Sequence, residues 1–275
     1  MALKLMYITN RPEIAQIAQD AGVDRIFVDL EYIGKADRQG GMDTVQSRHT
    51  LEDVKRIARV IKKAELLVRV NPIHDATEQY GSSEEEIKAA IENGAKLIML
   101  PFFKKLDEVK RFLQAVNKKA KTMLLIETPE AVEMIDALLE LEGIDFIHIG
   151  LNDLSLGYGK TFMFELLTDG TVEKLCSKIR AKNIPYGFGG IAALGKGAVP
   201  AEMIIQEHYR LGSTCAILSR SFCDTNKMTD TDEINLTFTC GLREIRKFEA
   251  ACEAGAFNFE ENRKNLINAV KKISG

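Results

Sequence analysis

The chain lacks the features that would send it to a membrane, a nucleic acid or an oxidising compartment. No apolar run approaches the roughly 20 residues that a membrane span requires, and the opening Met1–Met6 is too short and too quickly polar for a signal peptide. Five cysteines (Cys176, Cys215, Cys223, Cys240 and Cys252) form no C-x-x-C pair and are odd in number, which reads as reduced thiols in a cytoplasmic protein. No block of Lys and Arg is interleaved with aromatics, and the formal net charge is −3 with a pI near 5.9. That excludes a nucleic-acid footprint and leaves any acidic substrate to be held by local groups. No G-x-G-x-x-G follows the first apolar run, which disfavours a dinucleotide-binding open sheet.

What is present is a repeat. Eight short apolar runs alternate with amphipathic helices: 3–8, 25–30, 66–70, 97–100, 122–126, 146–149, 186–188 and 215–218. They are continuously apolar, as parallel strands buried on both faces must be. Helix signals fill the gaps. Val54, Ile57, Ala58 and Ile61 mark one buried stripe, Ser83 with Glu86 reads as a capping box, and Thr128 with Pro129 opens a helix expected to end near Gly143. With 275 residues and 45% hydrophobic composition, the expectation is one (β/α)₈ barrel, a TIM barrel occupying 1–275. Two helices, about 230–254 and 259–273, follow the eighth strand where one would suffice. The surplus predicts a homo-oligomer, a trimer or hexamer, using that segment between subunits.

A barrel of this kind works at the C-terminal ends of its strands. Collected there are Thr9 and Asn10, Asp29 and Glu31, Arg69 and Asn71, Glu127 and Thr128, Asn152, Asp153 and Ser155, Gly189 and Gly190, Ser219 and Arg220. Hard oxygen donors on adjacent strands, with room for substrate oxygens, suit Mg²⁺ or Mn²⁺.

The stretches Val68–Pro72, Gly94–Pro101, Ile126–Val132, Gly143–Asp145 and Ile149–Ser155, in that order, resemble the HpcH/HpaI aldolase and citrate lyase β-subunit superfamily. The resemblance covers roughly residues 3–160. It implies that Glu127 and Asp153 ligate the metal, that Arg69 holds a substrate oxygen, and that Glu31 organises metal-bound water. It further implies a small-molecule carboxylate substrate, a 2-oxo acid such as pyruvate, whose enolate forms when an aldol bond breaks. Two carboxylates in one site repel each other, so without a cation one of them should show a raised pKa.

Three departures bear on the chemistry. The aldolase branch carries a proton-transferring histidine where this chain has Tyr32, and a glutamine where it has Leu125; the segment 34–48 matches neither branch. His49 and His74, in the loops after strands two and three, are the candidates to replace the missing base. His148 reads as a core residue and His208 as a surface one. The glycines around 189–197 form a loop that either cradles a phosphate or merely turns, and Ser219 with Arg220 either grips a carboxylate or closes the rim. The favoured function is a metal-dependent carbon–carbon lyase of aldolase type. The alternatives are an acyl-CoA ester lyase, a phosphate-handling isomerase, and a barrel that binds a carboxylate without turnover.

Overall fold

The computed structural model describes residues 2–34 and 49–275. Eight parallel strands close in sequence order, β1 against β8: β1 Lys4–Ile8, β2 Arg25–Asp29, β3 Glu65–Arg69, β4 Leu97–Leu100, β5 Lys121–Ile126, β6 Phe146–Ile149, β7 Tyr186–Ile191 and β8 Cys215–Leu218. The fold is a TIM barrel. Alternation along each strand sorts the side chains into two cores. Met6, Phe27, Leu67, Leu97, Met99, Met123, Leu125 and Cys215 fill the interior. Their neighbours, such as Leu5, Val28, Val68 and Leu124, face the surrounding helices.

The helices are α1 Pro12–Ala21, α2 Leu51–Val60, α3 Ser83–Glu92, α4 Leu106–Val116, α5 Pro129–Glu133, α6 Ile135–Leu138, α7 Leu151–Gly157, α8 Glu165–Thr168, α9 Thr171–Ala181, α10 Ala201–Leu211, α11 Thr231–Glu253 and α12 Phe259–Ser274. Three sequence expectations shift. The capping box of α3 is Ser82 with Glu85, not Ser83 with Glu86. Ser83 is instead buried and its hydroxyl accepts from the His74 N–H, while Glu86 turns inward to Asn71. The helix opened by Thr128 breaks at Met134 into α5 and α6. Gly189 and Gly190 are not in a loop. They lie within β7, whose register on β8 is irregular between Gly187 and Gly190. Gly189 has a φ of +50°, and a Cβ there would stand 2.7 Å from the Leu151 side chain, so both the backbone conformation and the packing call for glycine.

Both C-terminal helices are capped, α11 by Asp230 and α12 by Asn258. Each is tied to its own barrel. The buried Glu249 of α11 accepts the Leu3 N–H at 2.7 Å, and Arg246 donates to the Leu3 carbonyl and to Asp24. Asn262 of α12 donates to the Met203 carbonyl at 3.0 Å, and Arg263 pairs with Glu173. No helix among the described residues is long and apolar enough to cross a membrane. The five cysteines are free thiols, four of them buried.

Candidate active site

The polar strand ends meet at one mouth, and a complementary pair of strands organises it. β2 reads Arg-Ile-Phe-Val-Asp and β3 reads Glu-Leu-Leu-Val-Arg, with Asp29 opposite Arg69 in register. The guanidinium meets the Asp29 carboxylate with two parallel bonds, Nε and Nη2 each at 2.8 Å, and Nη2 lies 3.3 Å from Glu31. Asp29 is 2% exposed and Glu31 1%. Burial works against the charged guanidinium, but the charges of Asp29 and Glu31 outweigh it and drive the Arg69 pKa upward. The sequence marks Asp29 only as a strand end; its pairing with Arg69 comes from the facing register of the two strands.

Glu127 closes β5 and is buried, its carboxylate accepting the Phe102 N–H at 2.9 Å. Phe102 adopts a left-handed φ of +45°. Gly150, at the end of β6, makes room: a Cβ there would stand 2.9 Å from both Cβ and Oε2 of Glu127. Asp153 lies in the first turn of α7 and lines a hollow of about 220 Å³ together with Glu127, Phe102 and Thr128. The Glu127 carboxyl is pushed up to about 8, chiefly by burial and then by the charge of Glu31; Arg69 opposes the rise and Asp153 adds to it. The expected direction therefore holds, although repulsion from Asp153 is a lesser cause than desolvation and Glu31.

Could these residues hold a divalent cation? A buried carboxylate raised this far gains its charged form when positive charge is brought beside it. Glu127 and Asp153 are hard oxygen donors, and two donors leave coordination positions for water and substrate. Among the described residues no third His, Cys, Asp or Glu completes a ready-made metal cluster. The donor set fits Mg²⁺ or Mn²⁺ on that open-sided basis.

A second, larger cavity of about 350 Å³ adjoins Arg69, lined by Thr9, Asn10, Asp29, His49, Ser219 and Arg220 among others. Ser219, Arg220 and His49 thus line the same cavity as Arg69. Gly189 and Gly190 line neither cavity. His74 is not brought to the carboxylates. Its Nδ1 is 2.8 Å from the Pro72 carbonyl and its Nε2 3.0 Å from that of Gly81, so the ring staples its loop. Tyr32, at the position of the family histidine, is 54% exposed and meets Tyr80 edge-on.

Two further histidines are structural. His148 is buried inside the barrel, as expected, and burial pushes it down to about 4. His208 is not on the surface: it stacks on Phe188 at 3.9 Å and bonds to Ser213, because its face of α10 turns onto β7. The remaining segment, 35–48, lies outside the described residues.

Comparison with known proteins places the fold and the family. The family model for HpcH/HpaI aldolase/citrate lyase matches residues 4–182. A 4-hydroxy-4-methyl-2-oxoglutarate aldolase of Chaetomium globosum is 24% identical over 223 residues, covering 69% of this chain and 75% of the relative. In fold, the chain resembles an HpcH/HpaI aldolase from Desulfitobacterium hafniense, with a TM-score of 0.58 at 17% identity over 90% of this chain and 93% of that one. Macrophomate synthase gives 0.56 at 15% identity over 79% and 77%. These matches support an aldolase or lyase enzyme, and the chain belongs to the HpcH/HpaI aldolase/citrate lyase family.

Proposed function

We propose that the protein is a divalent-metal-dependent aldolase that breaks or forms the C3–C4 bond of a 4-hydroxy-2-oxo acid through an enolate. The observation that carries this reading is the Glu127 carboxyl, buried beside Glu31 and Asp153 and raised to about 8. It is a site built to receive positive charge. Glu127 and Asp153 would hold Mg²⁺ or Mn²⁺, which when bound supplies Lewis acidity toward the oxygens of the 2-oxo acid. The Chaetomium globosum relative, a 4-hydroxy-4-methyl-2-oxoglutarate aldolase, supports this substrate class.

In cleavage, the C4 hydroxyl gives up its proton to a base or to water, the C3–C4 electron pair passes into the 2-oxo fragment as an enolate, an aldehyde or ketone leaves, and a proton added at C3 gives the free 2-oxo acid. Charge builds on the C2 oxygen. Arg69 is placed to offset it: Asp29 fixes Nε and Nη2, leaving Nη1 for the substrate. A salt-bridged arginine loses little entropy when it binds, because its rotamer is already set. Glu31, against the same guanidinium, would orient water beside the carboxylates.

The test is release of pyruvate or another 2-oxo acid from 4-hydroxy-2-oxo acids, with and without a chelator. Turnover that is lost on chelation and restored by Mg²⁺ or Mn²⁺ supports the reading; turnover indifferent to metal overturns it. The exposed Tyr32 in place of the family histidine favours one second reading, a barrel that binds carboxylates without turnover. Metal-dependent oxalate binding with no activity on any 2-oxo acid would select it. Assembly as a homo-oligomer is also proposed, and sedimentation of the intact chain checks it.

A further inference from the structure

We propose that Asn71 is a positioning residue of this active site: its side chain fixes the stretch of backbone that carries Glu31 to Arg69, and Glu86 fixes Asn71 in turn. This rests on the functional reading above, in which Glu31 orients water beside the carboxylates. The ladder between β2 and β3 reaches as far as the Leu30 N–H, which meets the Arg69 carbonyl at 2.9 Å. Side chains take up the next three N–H groups. That of Glu31 donates to Asp29 Oδ1 at 3.2 Å, and those of Tyr32 and Ile33 both donate to Asn71 Oδ1 at 2.9 Å. Backbone N–H groups beside a buried residue need acceptors, and here one carbonyl oxygen serves two in succession.

The other half of the Asn71 amide explains why this position is asparagine. Nδ2 donates to Glu86 Oε1 at 2.8 Å, and the Asn71 backbone N–H reaches both Glu86 oxygens at 3.3 Å. Chemistry fixes the orientation of the amide: flipped, its NH₂ would meet two N–H donors and its oxygen a carboxylate. Burial raises the Glu86 carboxyl and the bonds from Asn71 oppose the rise, so each residue holds the other. Asn71 is 2% exposed, and Glu86 belongs to the first turn of α3, which the Ser82–Glu85 capping box locks.

The clamp sits where it bears on the chemistry. Asn71 follows Arg69 by two residues, and Glu31 immediately precedes the first amide that Asn71 holds. The Arg69 guanidinium and the Glu31 carboxylate lie 3.3 Å apart, beyond the end of the ladder. Loss of the Asn71 oxygen frees two consecutive amides directly after Glu31. A group displaced by about 1 Å from its working position loses on the order of 100-fold in rate.

Amide hydrogen exchange in the full chain tests the clamp without reference to activity. In Asn71→Ala the Tyr32 and Ile33 amides should exchange at least about tenfold faster than in the parent, while those within β3 keep their rates. Unchanged exchange at both overturns the proposal. Kinetics test the bearing on the reaction. Asn71→Ala should lower kcat on the order of 100-fold and leave KM within about threefold of the parent. Asn71→Asp keeps an oxygen for the two amides but sets a second carboxylate against Glu86, and at about pH 8 it should lose as much. Adding Glu86→Gln inverts the pair, with the amide on α3 and the carboxylate after β3, and should bring kcat back to within about tenfold of the parent. A folded Asn71→Ala or Asn71→Asp with parental kcat, a loss confined to KM, or a double variant no better than Asn71→Asp overturns it. If the parent turns over no 2-oxo acid, the functional reading fails, and amide exchange still decides for or against the clamp.

Discussion

The two ends of β2 and β3 carry the same kind of pair and put it to opposite uses. At the mouth, Asp29 of β2 faces Arg69 of β3; at the floor, Arg25 of β2 faces Glu65 of β3. Arg69 is gripped by two bonds from Asp29, approached by Glu31, and borders a cavity. Arg25 is 1% exposed, stacks on the Phe146 ring at 4.1 Å, and bonds only through Nε to Glu65 at 2.9 Å. Both of its η nitrogens are buried with no hydrogen-bond partner among the described residues. Glu65 has a second cation in Lys121 at 2.8 Å. An arginine gripped on one edge at the wall of a cavity is placed differently from one short of acceptors, which spends its burial on packing.

The sharpest separation should come from the carboxylates above Arg69. Glu127→Gln and Asp153→Asn should each lower turnover by at least about 1000-fold and weaken Mn²⁺ binding in calorimetry, because a neutral amide cannot balance a divalent cation. Mn²⁺ binding unchanged in both variants would place the metal elsewhere. Their thermal stability without metal should not fall, since each substitution relieves repulsion around Glu127.

Next in size is the contrast between the arginines. Arg69→Met takes the two-bond partner away from the buried Asp29 and should cost about 3 kcal/mol in urea unfolding, with activity lost. Arg25→Met removes unsatisfied donors while Glu65 keeps Lys121, so the change should stay within about 1 kcal/mol of the parent and leave turnover intact. Equal costs at the two ends would break the comparison. Arg69→Lys refines it: the ammonium preserves charge but not the two-bond fork with Asp29, so metal binding should persist while kcat falls.

The smallest effect is a pH slope. Glu127 has a native pKa of about 8 against an ordinary value of 4.5. Between those values the native state holds a proton that the unfolded state has released, so the metal-free protein should lose stability as pH rises from about 4.5 to about 8. Glu127→Gln should flatten that slope, and saturating Mg²⁺ should offset it in the parent. Chemical denaturation across this range measures both. A parent whose stability rises over the same interval would show that Glu127 is ionised without the cation.

Much of this was legible in the residues. The strands are short and apolar, so seven of them could be read to within a residue, while β7 runs three residues beyond Phe188 to Ile191; polar residues at most of the strand ends pointed to the mouth. Where reading failed, the cause was tertiary. Ser83 and Glu86 have the spacing of a capping box, but burial of Ser83 under His74 hands that role to Ser82 and Glu85. Gly189 and Gly190 look like a loop because glycine usually marks one; the close passage of Leu151 demands glycine inside a strand instead. His208 lies on a helix of polar appearance whose buried face only the barrel defines. Asp29 was visible as a strand end, yet its function depends on which residue of β3 stands opposite.

The bond from Glu249 to the Leu3 N–H also has a consequence for the order in which the chain acquires its structure. β1 is made first, but its partner β8 spans Cys215–Leu218 and its clamp lies in α11. On a ribosome, where synthesis runs from the N-terminus, β1 and β2 can pair early, yet one edge of β1 stays open until β8 emerges and its N-terminal end stays unfastened until Glu249 follows. Seven strands must wait as an open sheet with an unpaired border. The nascent chain should therefore remain sensitive to protease, and in need of a chaperone, until nearly all of it has been translated.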